Sequence, residues 1–398
     1  MGDWVQETSD WLIKESLSGT RADRLMRGFC DALVRGGVPL VRGHIASGQL
    51  HPLFRAFSVT WNRDEGIIRD RFSYDGATSE AWNASPLKAV LTTERPEIRA
   101  RLSEGEGVDE FPVLTDFRNR GFTDYYCTRV AFTVPEEEAL KNMEGCIITF
   151  ASDAPGGFSD PCIGAIKRLF PRLAAAIKMV TREATAQNLA STYLGSQAGD
   201  RVLKGQIRRG DYDRIRAAVW YCDMRGSTRT ADTMQPEIFL GRLNRYFGAT
   251  AGSVLDHGGE VLRFIGDAVL AIFPINGPGG AERAGRMALA AAKDAVLRLQ
   301  ALNADPPDED PEPIEFGLGL HVGDILFGNI GVPERLEFSV IGAVANETAR
   351  LEDLTKQLDR TILASDGFVA NTSGNWEAMG SFRLRGVAEP QPVYALTF

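Results

Sequence analysis

The chain is expected to fold as an α+β protein with two domains joined by a helical stretch. Three observations support this. A length of 398 residues suits two cores better than one. The first half runs from a helix through several strands to a second helix. From residue 213 onward, strand and helix signals alternate cleanly. These place one domain at 1–170, a helical dimerising linker at 171–212 and a second domain at 213–398.

Residues 4–35 read as helical, because Leu25, Met26, Phe29, Leu33 and Val34 keep a 3.6-residue period and Gly36-Gly37 supplies a stop. Strands are expected at Leu40–Ala46, Phe54–Trp61, Ile67–Tyr74, Thr123–Thr133 and Cys146–Ala151. Short helical pieces are expected around Pro86–Leu91 and Pro96–Leu102. A helix opens near Asp160, and its apolar spacings of 4, 3 and 4 through Leu173, Ile177, Val180 and Ala184 match the seam of a parallel two-stranded coil, lapsing at Gln187. Glycines 195, 199, 205 and 210 punctuate Tyr193–Gly210, which suits a hinge-rich transmitter or an ordinary linker.

The second half opens on an almost continuous apolar strand, Arg216–Cys222. Pro236 suits the first turn of a helix whose core stripe is Phe239, Leu243, Phe247 and Val254. Val261–Ile265 and Ala268–Phe273 form a hairpin around Gly266-Asp267, and an alanine-rich helix spans 281–302. Ile314 to Val322 alternates strictly, and Gly323-Asp324 is expected to turn it back into Ile325–Ile330. Strand Phe338–Ile341 leads into a helix over 343–358, and Phe382–Arg385 is expected to pair with Val393–Leu396.

Composition sets bounds. With 44% hydrophobic and 24% charged residues the chain is of ordinary globular type, and a formal charge of −9 with no segregated basic domain argues against nucleic-acid binding. Five cysteines without a C-x-x-C suit a reducing compartment better than a disulfide framework. No apolar run approaches the ~20 residues of a membrane span. The first residues lack the basic and apolar regions of a signal peptide, so a cytoplasmic location without membrane attachment is expected.

Two aspartates stand out. Asp223 ends one apolar strand and Asp267 sits in the turn of the next hairpin. Carboxylates on neighbouring strand ends can hold divalent cations, and a metal pair clamps a triphosphate.

The segments around them, CDMRGST and RFIGDAVLAIF, together with LHVGDILFGNIG, SVIGAVANETARLE and LRGV, make residues 213–398 resemble the catalytic domain of the class III nucleotidyl cyclases. The resemblance implies a ferredoxin-like βαββαβ core, a head-to-tail homodimer and conversion of a nucleoside triphosphate to a 3′,5′-cyclic monophosphate plus pyrophosphate. It implies that Asp223, Asp267 and the Met224 carbonyl hold two Mg2+ or Mn2+ per active site. It assigns Asn346 to the ribose, Arg350 to the α-phosphoryl oxygens and Arg385 to the phosphates. Arg263 and Ser339 would read the base, with Phe264 and Gly266 lining the substrate site. Asp223 and Asp267 of one chain would face Arg263, Ser339, Asn346, Arg350 and Arg385 of the other.

Adenine-specific members of that family usually carry Lys at the positions of Arg263 and Arg385. Arginine still donates to adenine N1, whereas the N1–H of guanine would face the Arg263 cation; guanylate cyclases of the family place Glu there. ATP is therefore the expected substrate, with GTP the alternative. A catalytically silent nucleotide-binding module is the reading outside the enzyme class. The first half, through its element order and its ending Gly145-Cys146-Ile147-Ile148-Thr149-Phe150, resembles GAF sensor domains, with PAS-like domains sharing the plan. That implies a small-molecule effector of unspecified identity. His321 and His257 read as packing and turn residues; His51, with Cys127 second, is a candidate haem ligand.

Overall fold

The computed structural model describes residues 3–74, 79–92, 95–132, 144–385, 387 and 389–398. Its contacts divide the chain into two compact units, Met1–Leu189 and Ala190–Phe398.

The first unit begins with two helices, Asp3–Leu17 and Ala22–Arg35, where one helical stretch was expected. Gly19, at φ 67°, takes the left-handed conformation that breaks the run. Six strands follow: β1 (Arg42–Gly48), β2 (Phe54–Asn62), β3 (Gly66–Ser73), β4 (Glu97–Ala100), β5 (Asp124–Ala131) and β6 (Gly145–Ser152). They form one sheet of order β3-β2-β1-β6-β5-β4, antiparallel throughout. β4 corrects the helical piece expected at Pro96–Leu102. Ile98 lies opposite Cys127, and the Pro96 carbonyl accepts from the Arg129 backbone N–H at 3.2 Å, so sheet pairing overrides the local helical signal. Thr133, the expected end of the fourth strand, lies outside the described residues.

Both faces of this sheet are covered. Leu25 and Phe29 of the second helix, with Ile166, Leu169 and Leu173 of the helix Asp160–Leu194, bury Ile45, Ile148 and Phe150 on one face. Phe170 stacks on Phe150 at 6.0 Å and on Tyr126 at 5.9 Å. Val90, Leu114 and Phe117 cover Tyr125, Cys127 and Ile147 on the other. The helix Asp160–Leu194 runs 35 residues and continues past Gln187, where the heptad pattern lapses. All five cysteines are free and buried, and burial pushes the thiols of Cys127 and Cys146 up to about 12 and that of Cys222 to about 11.

In the second unit a helix, Ser196–Leu203, falls within the glycine-punctuated stretch. β7 (Tyr212–Met224), helix Pro236–Asp256, β8 (Glu260–Ile265), β9 (Ala268–Pro274), helix Gly280–Ala304 and β10 (Phe316–Val332) then follow. This βαββαβ connectivity closes into the sheet order β10-β7-β9-β8. β7 is central and buried on both faces, which is why it reads as an unbroken apolar run. On the helix Gly280–Ala304, Ala284, Ala288, Ala291, Ala292 and Ala295 are all buried, small enough for close packing. β11 (Arg335–Ile341), helix Ala343–Leu358, β12 (Ile362–Ser365), β13 (Trp376–Phe382) and β14 (Gln391–Leu396) complete the unit.

Two expectations need correction here. Gly323-Asp324 makes no turn, because β10 runs unbroken for 17 residues and pairs with β7 from Phe316 to Gly328. Gly323 is there for space: a Cβ would come within 2.5 Å of Val344. Asp324 stays in the strand with Arg214 at 3.1 Å and Arg216 at 3.8 Å. β14 lies between β12 and Trp376–Phe382, and it is the latter strand, not Phe382–Arg385, that pairs with it on its outer side. Arg385 lies beyond that strand in a turn, with the Val387 N–H on the Leu384 carbonyl at 3.0 Å, and Gly386 lies outside the described residues. Among the described residues no helix is long and apolar enough to cross a membrane.

Candidate active site

The second unit gathers its carboxylates at one end of its sheet. β7 and β9 pair so that Cys222 faces Val269. That register sets Asp223, one residue further on, beside Asp267 in the turn before β9. Gly266, at φ 62°, makes the turn possible. The two carboxyls act on each other directly. Burial first, then the adjoining Asp267 carboxyl, push Asp223 up to about 6, while Lys356 pulls the other way. Asp267 Oδ2 is buried without a hydrogen-bond partner. The Met224 side chain is sunk in the core, which leaves only its main chain to serve a ligand at this strand end.

The helix Ala343–Leu358 brings to this pair two residues, Glu352 and Lys356, that are absent from the sequence-derived site. Lys356 Nζ lies 3.4 Å from Asp223 Oδ2 and 3.9 Å from Glu352 Oε1. Glu352 is only 2% exposed, and burial lifts its carboxyl to about 7. The helix can lie this close because β10 offers Gly317 and Gly319 beneath it; a Cβ on either would collide with Glu352 or the Thr348 carbonyl.

This donor set fits a hard divalent cation. Two adjacent carboxylates, one with an orphaned buried oxygen, are what Mg2+ takes from protein when phosphate and water complete its shell. Among the described residues no group of three or more His, Cys, Asp or Glu forms a metal cage, so the remaining ligands would have to come from elsewhere.

A second cluster forms between β8 and β11, where Arg263 makes an ion pair with Glu337. Ser339, two residues along β11 and thus on the same face, is buried. Phe264 is half exposed, its ring 4.6 Å from that of Phe247. Asn346 and Arg350 share one face of the helix Ala343–Leu358; Asn346 is exposed and Arg350 bonds Asp353 at 3.0 Å. At about 100° per residue, the Asn346–Arg350 stripe lies about 120° around the helix from the Glu352–Lys356 stripe that meets Asp223. Arg385 is exposed. Thus Asp223, Met224 and Asp267 come together in one place, and Arg263 and Ser339 in another.

The histidines are engaged in packing. His321 bridges Ser365 Oγ at 2.7 Å and Glu347 at 3.0 Å, and burial holds its pKa down. His257 Nδ1 lies 2.9 Å from the Ser253 carbonyl. His51 Nδ1 accepts from the Leu53 N–H at 3.0 Å. Burial opposes the thiolate that Cys127 would need as a haem ligand.

The sequence matches no protein-family model. It is 30% identical over 232 residues to uncharacterized proteins of Mycobacterium tuberculosis and Mycobacterium bovis, a match covering 57% of this chain and 39% and 41% of those relatives. The chain thus spans about two fifths of the length of the curated relatives it matches. Similar solved structures include a bacterial light-regulated adenylyl cyclase, with a TM-score of 0.44 and 22% identity over 60% of this chain and 65% of that one. The adenylyl cyclase CyaB of P. aeruginosa gives 0.40 and 24%, over 47% of this chain and 96% of that one. The guanylyl cyclase Cya2 gives 0.40 and 28%, over 48% and 94%.

Proposed function

We propose that residues 213–398 form a class III nucleotidyl cyclase domain that converts a nucleoside triphosphate, with ATP the first candidate, into the 3′,5′-cyclic monophosphate and pyrophosphate. The observation that carries this reading is the juxtaposed Asp223–Asp267 carboxyl pair with the unsatisfied Oδ2 of Asp267. Held by these two residues and the Met224 carbonyl, Mg2+ or Mn2+ would supply charge neutralisation for the triphosphate and acidify the ribose 3′-hydroxyl. The reaction forms a bond from O3′ to the α-phosphorus and breaks the bond from that phosphorus to the β-bridging oxygen. Asn346 orients the ribose, Arg350 donates to the α-phosphoryl oxygens as charge builds, and Arg385 contacts the phosphates. Arg263 and Ser339 meet the base edge, while Phe264 and Gly266 line the site.

The site is shared between two copies in head-to-tail arrangement. In support, the helix that brings Lys356 to its own Asp223 turns its Asn346–Arg350 stripe another way. The first unit acts as a GAF-type sensor of a small molecule; a cavity of about 330 Å³ lined by Leu50, Arg55, Tyr74, Phe132, Lys178 and Arg182 is a candidate seat for the effector. The test is cyclisation by the purified chain with ATP or GTP and Mn2+. Cyclic product from either supports the reading; nucleotide binding without product leaves a silent binding module in its place.

A further inference from the structure

The cavity of about 330 Å³ in the first unit is walled by hydrogen-bond donors. Lys178, Thr181, Arg182 and Thr185 line it from the helix Asp160–Leu194, at spacings of three and four that put them on one stripe of that helix. Gln49, just beyond β1, and Arg55 of β2 extend the polar wall. Among the described residues of the wall Glu144 is the one carboxylate, and it lies 3.9 Å from Arg182. Lys178 Nζ donates to the Phe132 carbonyl at 2.6 Å, which uses one of the three protons of its ammonium.

Two residues of this wall carry a buried polar atom without a hydrogen-bond partner, Gln49 Nε2 and Thr181 Oγ1. The amide nitrogen can only donate, and the hydroxyl has a proton to give. Burial without a partner costs each group its desolvation, so two on one wall need a reason. A donor-rich wall calls for an acceptor, and an ionised carboxylate is acceptor-only. The remaining wall is apolar in character. Tyr74 has its hydroxyl committed to the His51 carbonyl at 3.0 Å, so its ring, like that of Phe132, is what it offers.

We propose that this cavity binds a small aromatic carboxylate, whose carboxylate accepts from Lys178, Thr181 and Gln49 while its ring lies against Tyr74 and Phe132. This deepens the sensor reading of the first unit and rests on it for its consequence: the donor stripe lies on the helix that runs on to Leu194, past the end of that unit at Leu189.

The test is calorimetric titration of the full chain, without nucleotide, using 2-naphthoate, its neutral twin 2-naphthamide and acetate as the head group alone. 2-Naphthoate should bind saturably, the amide about 10-fold or more weaker, and acetate weaker still. Lys178→Met should weaken 2-naphthoate binding about 10-fold or more. Thr181→Val removes an unpartnered hydroxyl at nearly constant shape, so the thermal midpoint should hold or rise while 2-naphthoate affinity falls about threefold or more. Arg168→Gln, exposed on the same helix and outside the cavity wall, should match wild type. Equal affinity for acid and amide, no saturable binding of 2-naphthoate, or wild-type affinity in folded Thr181→Val or Lys178→Met overturns the site. Because binding is read without nucleotide, these outcomes hold whether or not the chain cyclises ATP or GTP. Saturable binding that leaves the turnover of an active chain unchanged keeps the site and overturns the sensor reading instead.

Discussion

The two units solve the same packing problem and pair a buried carboxylate in the same way, but the second also holds a cluster of acids that is not paired off. Each has a sheet with buried apolar strands, and each buries an aspartate against arginine. In the first unit Asp124, fully buried, accepts from Arg99 at 2.9 Å and from the Phe158 N–H at 3.0 Å. In the second, Asp310, 1% exposed, holds Arg242 at 2.6 Å and also Arg245. Those carboxylates are satisfied. Asp223, Asp267 and Glu352 are not, since they crowd together with one ammonium among them. A fold tolerates such crowding where a ligand rather than a neighbour is meant to complete the shell, and the contrast supports the proposed site at this end of the second unit.

The contrast can be broken most forcefully at the satisfied acids. Asp310→Ala leaves Arg242, 4% exposed, as an uncompensated buried charge and should cost about 3–5 kcal/mol in urea unfolding. Asp124→Ala should cost less, about 1–3 kcal/mol, because Arg99 is 25% exposed and can reach water. Equal losses would mean that burial of the arginine does not set the scale.

At the unsatisfied acids the effect should fall on turnover. Asp267→Ala is expected to lower kcat by roughly 100- to 1,000-fold while circular dichroism and the unfolding midpoint stay near wild type. Activity within a few-fold of wild type would remove Asp267 from the site.

The units should also respond to pH with opposite sign. Burial and nearby Arg42 press His44, bonded to Thr60 at 2.8 Å, down to about 3. Its folded pKa is thus below the unfolded value near 6.5, so the first unit loses stability as pH falls through the interval from about 6.5 to about 3. Asp223 is raised to about 6, so its contribution is present below about 4 and is lost as pH rises towards 6. At about 1.4 kcal/mol per pKa unit these shifts set upper bounds of about 5 and about 3 kcal/mol. Peptide-resolved hydrogen exchange in chelator at pH 4.5, 6 and 7.5 would read each unit separately. Slopes of the same sign, or slopes unchanged in His44→Gln and Asp223→Asn, contradict this account.

The smallest signal tests the shared site. Asp223→Ala and Arg350→Ala homodimers should both be inactive, yet equal mixtures that exchange subunits should regain about a quarter of wild-type activity, because half the dimers are mixed and each carries one intact site. No recovery under demonstrated exchange would mean each chain works alone.

Much of this was legible in the sequence because period and motif agree there. The apolar run into Asp223 and the Gly266-Asp267 hairpin read directly as strand ends, and the βαββαβ connectivity follows from the alternation. What escaped depended on approach between distant segments. Gly323 looked like a turn because glycine marks both turns and tight contacts, and only Val344 above it decides between them. Pro96–Leu102 lost its helical signal to pairing with β5. Glu352 and Lys356 have the four-residue spacing of a solvent-facing pair; the hint to the contrary was Gly317-x-Gly319 on an otherwise apolar strand. Glu337 carried no signal, since nothing local indicates that β11 reaches Arg263.

The buried thiols make this chain a quiet background for chemical labelling. With every native cysteine buried, alkylating reagents should spare the folded protein, so that one cysteine placed at an exposed position such as Leu17, 80% exposed, would react alone. The distribution is also uneven: Cys30, Cys127, Cys146 and Cys162 belong to the first unit and only Cys222 to the second. The number of adducts on a partly unfolded molecule, read by intact mass, therefore names the half that opened: four for the first, one for the second.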